Sequence, residues 1–409
     1  MFATLSYILA HGAALAGLAA ARPGFFCADE RLTREPAASR AADSPADSPA
    51  DTGWPTVTAV VPARDEAPTI AACVRALAAQ DYPGRLRVIV VDDQSSDNTA
   101  AIAAGAGADA RVPVEVITAP ALKPGWSGKI AALDAGLAHA TKVAPETDFY
   151  WFTDADIVHD PQVLRDLTAK AAQSDAALVS LMVRLACTSV WEKLLVPAFV
   201  LFFQMLYPFR LVNTPGHPMA AAAGGCILVS RPVLDAAGGL DRIKGALIDD
   251  CSLAALIKRQ GRPIWLGLAE HSRSLRRYEH LGEFWHMVKR TAFVQLGFSP
   301  WLLIVTVVFM AALFIVPPAL GLVDRLVWAA TGQGWLFPAG WLGWAAALAP
   351  WLGLAILRRP TDRYYALSVA WAPTLAVAAT LYTAMTVHSA LAHWRGAGGA
   401  WKGRVYDHG

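Results

Sequence analysis

Tyr150-Trp151-Phe152-Thr153-Asp154-Ala155-Asp156-Ile157-Val158 is an apolar run broken by two carboxylates spaced i, i+2. If the run is a buried strand, its alternation places Asp154 and Asp156 on one side of the chain. They then sit at the strand's carboxyl end, where open α/β sheets bind ligands. Two hard oxygen donors there suit a Mg2+ or Mn2+ ion that also holds a diphosphate. Taken alone, the same pattern also describes a solvated turn at a strand end.

The segments on either side place that strand in a sheet. Thr56–Val61 is a β-branched run, followed by a charged loop and an Ala-rich helical stretch to Gln80. Leu86–Val91 predicts a second strand, Val112–Thr118 a third and Asp148–Thr153 a fourth, with helices ending near Ala108 and spanning Gly128 to His139. Strands alternating with helices over short connections predict an α/β fold, a mostly parallel sheet covered on both faces, over residues 54–299.

The chain as a whole is too apolar for a fully soluble protein: 55% of its 409 residues are hydrophobic, 17% are charged and 15 are tryptophan. Residues 1–21, mostly apolar, contain no Asp, Glu, Lys or Arg. They lack the basic start of a cleaved secretory signal, so an N-terminal membrane anchor is expected. Residues 22–53, rich in Ala, Asp, Ser and Pro, read as a disordered linker. The apolar segment 190–212 contains two prolines, Glu192 and Lys193, and fits a helix lying in a membrane interface. Three long apolar segments (roughly 300–323, 335–357 and 364–392) predict C-terminal transmembrane helices, followed by a basic tail at 393–409. Arg358, Arg359 and Arg363 place the loop between the last two segments in the cytoplasm. The basic tail asks for the same side, so one of the three segments is expected to be re-entrant or interfacial. The net charge of +2 gives no electrostatic case for nucleic-acid binding. The five cysteines form no C-x-x-C pair, which excludes a zinc ribbon and a disulfide framework.

Five blocks carry candidate chemistry. Pro62-Ala63-Arg64-Asp65-Glu66 exposes backbone after a strand and offers Arg64 and Glu66 to a nucleotide base and ribose; it also reads as an ordinary charged turn. Asp92-Asp93-Gln94-Ser95-Ser96-Asp97 ends the second strand, and an ionised Asp93 can accept the imide N–H of uracil. The following Ser and Asp residues are good helix caps, and both readings can hold together. Gly125-Trp126-Ser127-Gly128-Lys129-Ile130 lacks Walker spacing, yet presents N–H groups and Lys129 to an anion at a helix start. Asp249-Asp250-Cys251 opens a helix, either as a cap or with Asp250 as a general base toward an acceptor hydroxyl. Gly224-Gly225 upstream allows backbone to approach a sugar closely. The basic stretch from Arg273 to Phe298 is either a lipid anchor or a source of Arg290 for a diphosphate leaving group.

The order Pro-Ala-Arg-Asp-Glu, Asp-Asp-Gln-Ser-Ser-Asp-Asn-Thr, Thr-Asp-Ala-Asp, Gly-Gly-Cys and Asp-Asp-Cys-Ser-Leu resembles the family 2 glycosyltransferases, inverting enzymes of GT-A fold, across residues 54–300. The apolar layout, Arg-Thr-Ala-Phe-Val-Gln-Leu at 290–296 and the tail from Trp401 to Tyr406 look closest to the bacterial hopene-associated glycosyltransferases. Ceramide glucosyltransferases are similar in design but more distant. The resemblance implies Asp93 as the uracil contact, Asp154 as a nucleotide or ribose contact and a second metal donor, and Asp156 as metal ligand. It makes Asp250 the catalytic base. Pro62, Ala63, Arg64, Glu66, Lys129 and Gly225 complete the nucleotide-sugar site. Processive members carry Gln-x-x-Arg-Trp, whereas this chain has Met287-Val288-Lys289-Arg290-Thr291, which favours a single transfer.

The implied activity is transfer of one sugar from a UDP-sugar to a hopanoid-like lipid hydroxyl with a Mg2+ or Mn2+ cofactor. The implied setting is a multi-pass protein of the bacterial inner membrane with a cytoplasmic catalytic domain. Two alternatives stay open: a polyprenyl-phosphate acceptor, and a non-catalytic nucleotide-binding membrane scaffold. The scaffold differs from an enzyme in showing no transfer or hydrolysis of a UDP-sugar.

Overall fold

The computed structural model describes residues 2–34, 53–396, 400–401 and 404–405. The chain forms two compact units. A sheet unit holds Asp29–Ala186, Phe209–Arg277 and Ala400–Gly409, and a helical unit holds Met1–Ala28, Cys187–Pro208 and Tyr278–Gly399. This partition differs from the expected boundaries. Most of the 190–212 segment and residues 278–299 belong to the helical unit, while residues 29–34 join the sheet unit.

Eight strands form one sheet: β1 (Val57–Ala63), β2 (Leu86–Asp92), β3 (Val114–Thr118), β4 (Phe149–Thr153), β5 (Ile157–His159), β6 (Leu178–Arg184), β7 (Cys226–Ser230) and β8 (Ile264–Ser274). Their order is β3-β2-β1-β4-β7-β6-β8-β5. The first four strands are parallel as expected, with Ala63 beside Asp92 and Val60 beside Phe152. The second half is mixed: β7 runs antiparallel to β4 and β6, and β5 antiparallel to β8. All of β1 is buried, which fits its unbroken β-branched run better than alternation would. Val57, Ala59 and Val61 meet Cys73, Val74 and Leu77 of the helix Ile70–Ala78. The opposite face receives the helix Gly128–Val143. There a Cβ on Gly136 would fall 2.4 Å from Val60 Cγ1, so glycine sets how closely helix and sheet approach.

One expectation about the opening motif fails. Strand β4 stops at Thr153, and Asp154–Asp156 form a turn closed by the Ile157 N–H donating to the Asp154 carbonyl at 3.1 Å. The i, i+2 alternation of a strand therefore does not govern the two carboxylates. Below them, Thr153 Oγ1 donates to the Gly225 carbonyl at 3.0 Å. The same hydroxyl lies 2.9 Å from His159 Nε2, whose Nδ1 is 2.8 Å from Ser272 Oγ. Burial pushes the imidazole down to about 3, so His159 is neutral beneath the turn.

The linker expected from Arg22 is ordered through Arg34. Phe25 and Leu32 are buried, and Arg31 bridges Leu268 beside β8. Residues 35–52 lie outside the described residues.

In the helical unit, three helices are long and apolar enough to cross a membrane: Pro300–Thr331, Trp341–Tyr364 and Val369–Trp394. The helix Phe2–Ala21 covers the expected anchor. The expected loop carrying Arg358, Arg359 and Arg363 does not exist, because the second long helix continues to Tyr364 through Pro360. Arg358 is wholly buried, and its Nε donates to Asp362 Oδ1 at 3.0 Å. Its Nη2 donates to the Lys193 carbonyl at 2.7 Å, inside the helix Val190–Leu206. Pro197 has no N–H to return to that carbonyl, so the guanidinium fills the vacancy a proline leaves in a helix. A charge committed in this way cannot report membrane orientation, and the topology argument built on Arg358 lapses.

Candidate active site

The polar cluster lies at the carboxyl ends of β1 and β4, in a cleft lined by Pro62, Lys129, Asp154, Gly224, Asp249 and Asp250. Lys129 is the second residue of its helix, where the helix dipole disfavours a cation. Carboxylates offset that cost. Its Nζ lies 2.8 Å from Asp154 Oδ1 and 3.2 Å from Asp249 Oδ2. Burial works against its charge, but Asp154 and Asp249 outweigh it and hold the ammonium above its ordinary range.

Asp249 and Asp250 open the helix Asp249–Arg259, where the dipole favours carboxylates. Asp250 Oδ2 accepts the Gly224 N–H at 2.8 Å and Oδ1 accepts the Cys251 N–H at 2.7 Å. Burial and then the neighbouring Asp249 charge raise its pKa to about 6, against the opposing pull of Lys129 and the two N–H donors. A carboxylate poised near neutrality can take a proton from a hydroxyl. Asp154 is likewise raised, by burial first and by Asp156 and Asp249, with Lys129 opposing.

Asp156 faces a different partner. Its Oδ2 accepts Arg276 Nε at 2.9 Å and Ser274 Oγ at 3.3 Å, while Arg276 Nη2 donates to Glu66 Oε1 at 2.7 Å. At the end of β2, Arg64 Nη1 donates to the Asp93 carbonyl at 2.5 Å and lies 3.7 Å from its carboxylate. Asp65 adopts φ 49° and accepts the Ser96 N–H at 2.7 Å, joining the two predicted loops.

Of the predicted residues, Pro62, Lys129, Asp154 and Asp250 share the cleft. Ala63 ends β1, with Arg64 and Glu66 in the loop after it; Asp93 follows β2 and Asp156 lies in the turn after β4. Gly225 does not line it: a Cβ there would meet Val183 Cγ2 at 2.9 Å, and its carbonyl serves Thr153. Its neighbour Gly224 faces the charges, since a Cβ at that position would come 2.9 Å from Lys129 Nζ. Arg290 belongs to the helical unit, exposed on the helix Leu281–Gln295. Sequence reasoning missed Asp249 and Arg276 as partners of the key side chains. The Asp-Asp doublet at a helix start was the available signal for the first; Arg276 read only as part of a basic stretch.

The donor set suits a divalent cation. Asp154 and Asp156 are hard carboxylates one turn apart, and each commits one oxygen to a protein cation. Mg2+ or Mn2+ is commonly held by one or two carboxylates plus substrate phosphates. Among the described residues no group of three or more His, Cys, Asp or Glu side chains forms a ready-made cage.

An α/β sheet of this order, with carboxylates at the strand ends and three apolar helices toward the C-terminus, defines a protein of GT-A fold. Residues 58–238 match the family described as glycosyl transferase family 2. An N-acetylglucosaminyltransferase from Mesorhizobium japonicum is 44% identical over 50 residues, 12% of this chain and 12% of that protein. An N-acetylglucosaminyltransferase from Bradyrhizobium elkanii is 50% identical over 44 residues, 10% of this chain and 24% of that protein. The chain thus spans a small part of these curated relatives. Among solved structures, the mannosyltransferase PcManGT from Pyrobaculum calidifontis, in complex with GDP-Man and Mn2+, has a TM-score of 0.50 at 22% identity. That likeness covers 91% of this chain and 98% of the archaeal one, and it concerns the fold.

Proposed function

We propose that the protein is an inverting glycosyltransferase that moves one sugar from a UDP-sugar to a lipid hydroxyl, with a hopanoid-like acceptor. The observation that carries this reading is the pairing of Asp250 with the Lys129–Asp154–Asp249 cluster in one cleft of the sheet unit, whose residues 58–238 match family 2.

In this reaction the acceptor hydroxyl gives its proton to an Asp250 carboxylate oxygen as the hydroxyl oxygen bonds to the anomeric carbon. The bond from that carbon to the UDP oxygen breaks on the opposite face, and its electron pair leaves with UDP. Gly224 N–H fixes the orientation of Asp250, while Asp93 accepts the uracil imide proton beside Arg64. A divalent cation held by Asp154 and Asp156 supplies neutralisation of the diphosphate charge when bound. The long apolar helices supply a route for a lipid acceptor, consistent with a multi-pass protein of the bacterial inner membrane with its sheet unit in the cytoplasm.

The test is incubation of the purified protein with radiolabelled UDP-sugars, hopanoid and polyprenyl-phosphate acceptors and Mn2+. A labelled hopanoid of inverted anomeric configuration is the expected product. Retained configuration, or transfer to the phosphate acceptor alone, overturns the assignment.

A further inference from the structure

Each carboxylate of the Asp154–Asp156 turn is held by a cation from a different element: Lys129 at a helix start, and Arg276 just after β8. Each cation also touches a second carboxylate outside the turn. Lys129 Nζ is 3.2 Å from Asp249, and Arg276 Nη2 is 2.7 Å from Glu66. Either cation can therefore leave the turn without losing an ionic partner. The two are built differently in one respect. The Lys129 side chain is 20% exposed, whereas that of Arg276 is 41% exposed and thus freer to move.

Resting on the metal-dependent reading above, we infer that Lys129 and Arg276 are built-in counter-ions that keep the Asp154–Asp156 pair closed to a free divalent cation until a nucleoside diphosphate arrives. A divalent ion approaching the turn alone meets two positive charges already at the donor oxygens. Like charges at such distances repel by several RT in a partly buried site. A diphosphate brings negative charge with the metal and offers the displaced cations a partner, so nucleotide and metal binding are positively coupled. Coupling of this kind is reciprocal: whatever UDP does for metal affinity, the metal does for UDP affinity.

The experiment measures Mn2+ binding to the purified full chain in detergent by electron paramagnetic resonance, with and without UDP. The proteins are wild type, Lys129→Met, Arg276→Gln, Lys129→Arg and Asp156→Asn. Wild type is expected to bind Mn2+ weakly alone and more tightly with UDP. Lys129→Met and Arg276→Gln are expected to bind Mn2+ alone about tenfold more tightly than wild type, which narrows the ratio between the two conditions. Lys129→Arg keeps the charge and is expected to restore the wild-type ratio, and Asp156→Asn gives the blank.

Should the Met and Gln variants bind Mn2+ alone no more tightly than wild type, while wild type with UDP binds well, the counter-ion role is wrong and the metal site stands. Should wild type fail to bind Mn2+ even with UDP, the metal-dependent reading falls, and the inference with it. Arg276→Gln alters a partly exposed side chain, so it supplies an answer even where Lys129→Met does not fold.

Discussion

The two units use charge in opposite ways. In the helical unit, Arg358 and Asp362 are wholly buried, paired one to one, and the guanidinium is spent on two backbone carbonyls. Arg325 is spent similarly, on Asp324 at 3.0 Å and on the Phe337 and Pro338 carbonyls. In the sheet unit, Lys129 stands among Asp154, Asp249 and Asp250, one cation against three carboxylates, all partly open to solvent. A closed, neutral pair holds helices in place. An open cluster with surplus negative charge is poised to take a proton, and its excess charge costs stability. The comparison therefore predicts that losing charge in the cleft costs activity, and losing it among the helices costs the fold.

The largest effect is expected at Asp250. Asp250→Asn should lower transfer by about 10²–10⁴-fold, the usual worth of a positioned base, with UDP binding by calorimetry nearly unchanged. The same variant should unfold no more easily than wild type and up to ~2 kcal/mol less easily at neutral pH, because it removes a charge that burial disfavours. A large fall in stability would place Asp250 with the structural pairs instead. Arg358→Met is the converse case. It strands Asp362 and the Lys193 carbonyl, and thermal unfolding in detergent should show a loss of about 3–5 kcal/mol. Arg358→Met with Asp362→Leu should recover part of that loss, since an apolar pair of similar volume replaces a buried ion pair at little cost. Unchanged stability in the single variant would break the contrast between the units.

The sequence made this division only half visible. The β-branched runs of β1 and β2 were legible because buried parallel strands have few other compositions, and Asp93 and Asp154 directly follow β2 and β4. The strand end at Thr153 was legible, and a turn after it was one of two readings; what holds that turn was not, because Thr153 turns its hydroxyl to Gly225 and His159, contacts 72 and 6 residues away. Nor was the choice of Gly224 over Gly225, which depends on Val183 from another strand. Arg358 misled most. Local charge counting treats an arginine near the end of an apolar segment as a loop residue, and only the carbonyl freed by Pro197 explains a fully buried guanidinium. Local patterns disclose the elements, whereas the partners of a charge are set by residues distant in sequence.

A smaller effect than either substitution should come from pH. Asp250 must be ionised to accept a proton, and its pKa is raised to about 6. Transfer should therefore be near its plateau above that value and fall about tenfold per pH unit below it. A single ionisation in the rate profile near 4 would mean that the cleft does not desolvate this carboxyl. Stability should fall in the same direction on account of His159. Its folded pKa lies below its unfolded value, so its contribution is complete above about pH 6.5 and is lost as pH falls toward 3. Compared with His159→Gln, wild type should lose about 1.4 kcal/mol of stability per pH unit through that window.

The smallest expected effect tests whether burial, and not ion-pair geometry, is what separates the units. Arg31 Nη1 and Glu270 Oε1 are 3.0 Å apart, the same separation as Arg358 Nε and Asp362 Oδ1, but their side chains are 32% and 40% exposed. Water solvates both partners when the exposed pair breaks, so neither is left as an uncompensated charge. Arg31→Ala should cost less than ~1 kcal/mol, and less again in high salt, which screens exposed charges. A loss as large as that of Arg358→Met would mean that the Arg31 segment is held mainly by this pair. The buried Leu32 beside it and the backbone bridge from Arg31 to Leu268 argue for the smaller value.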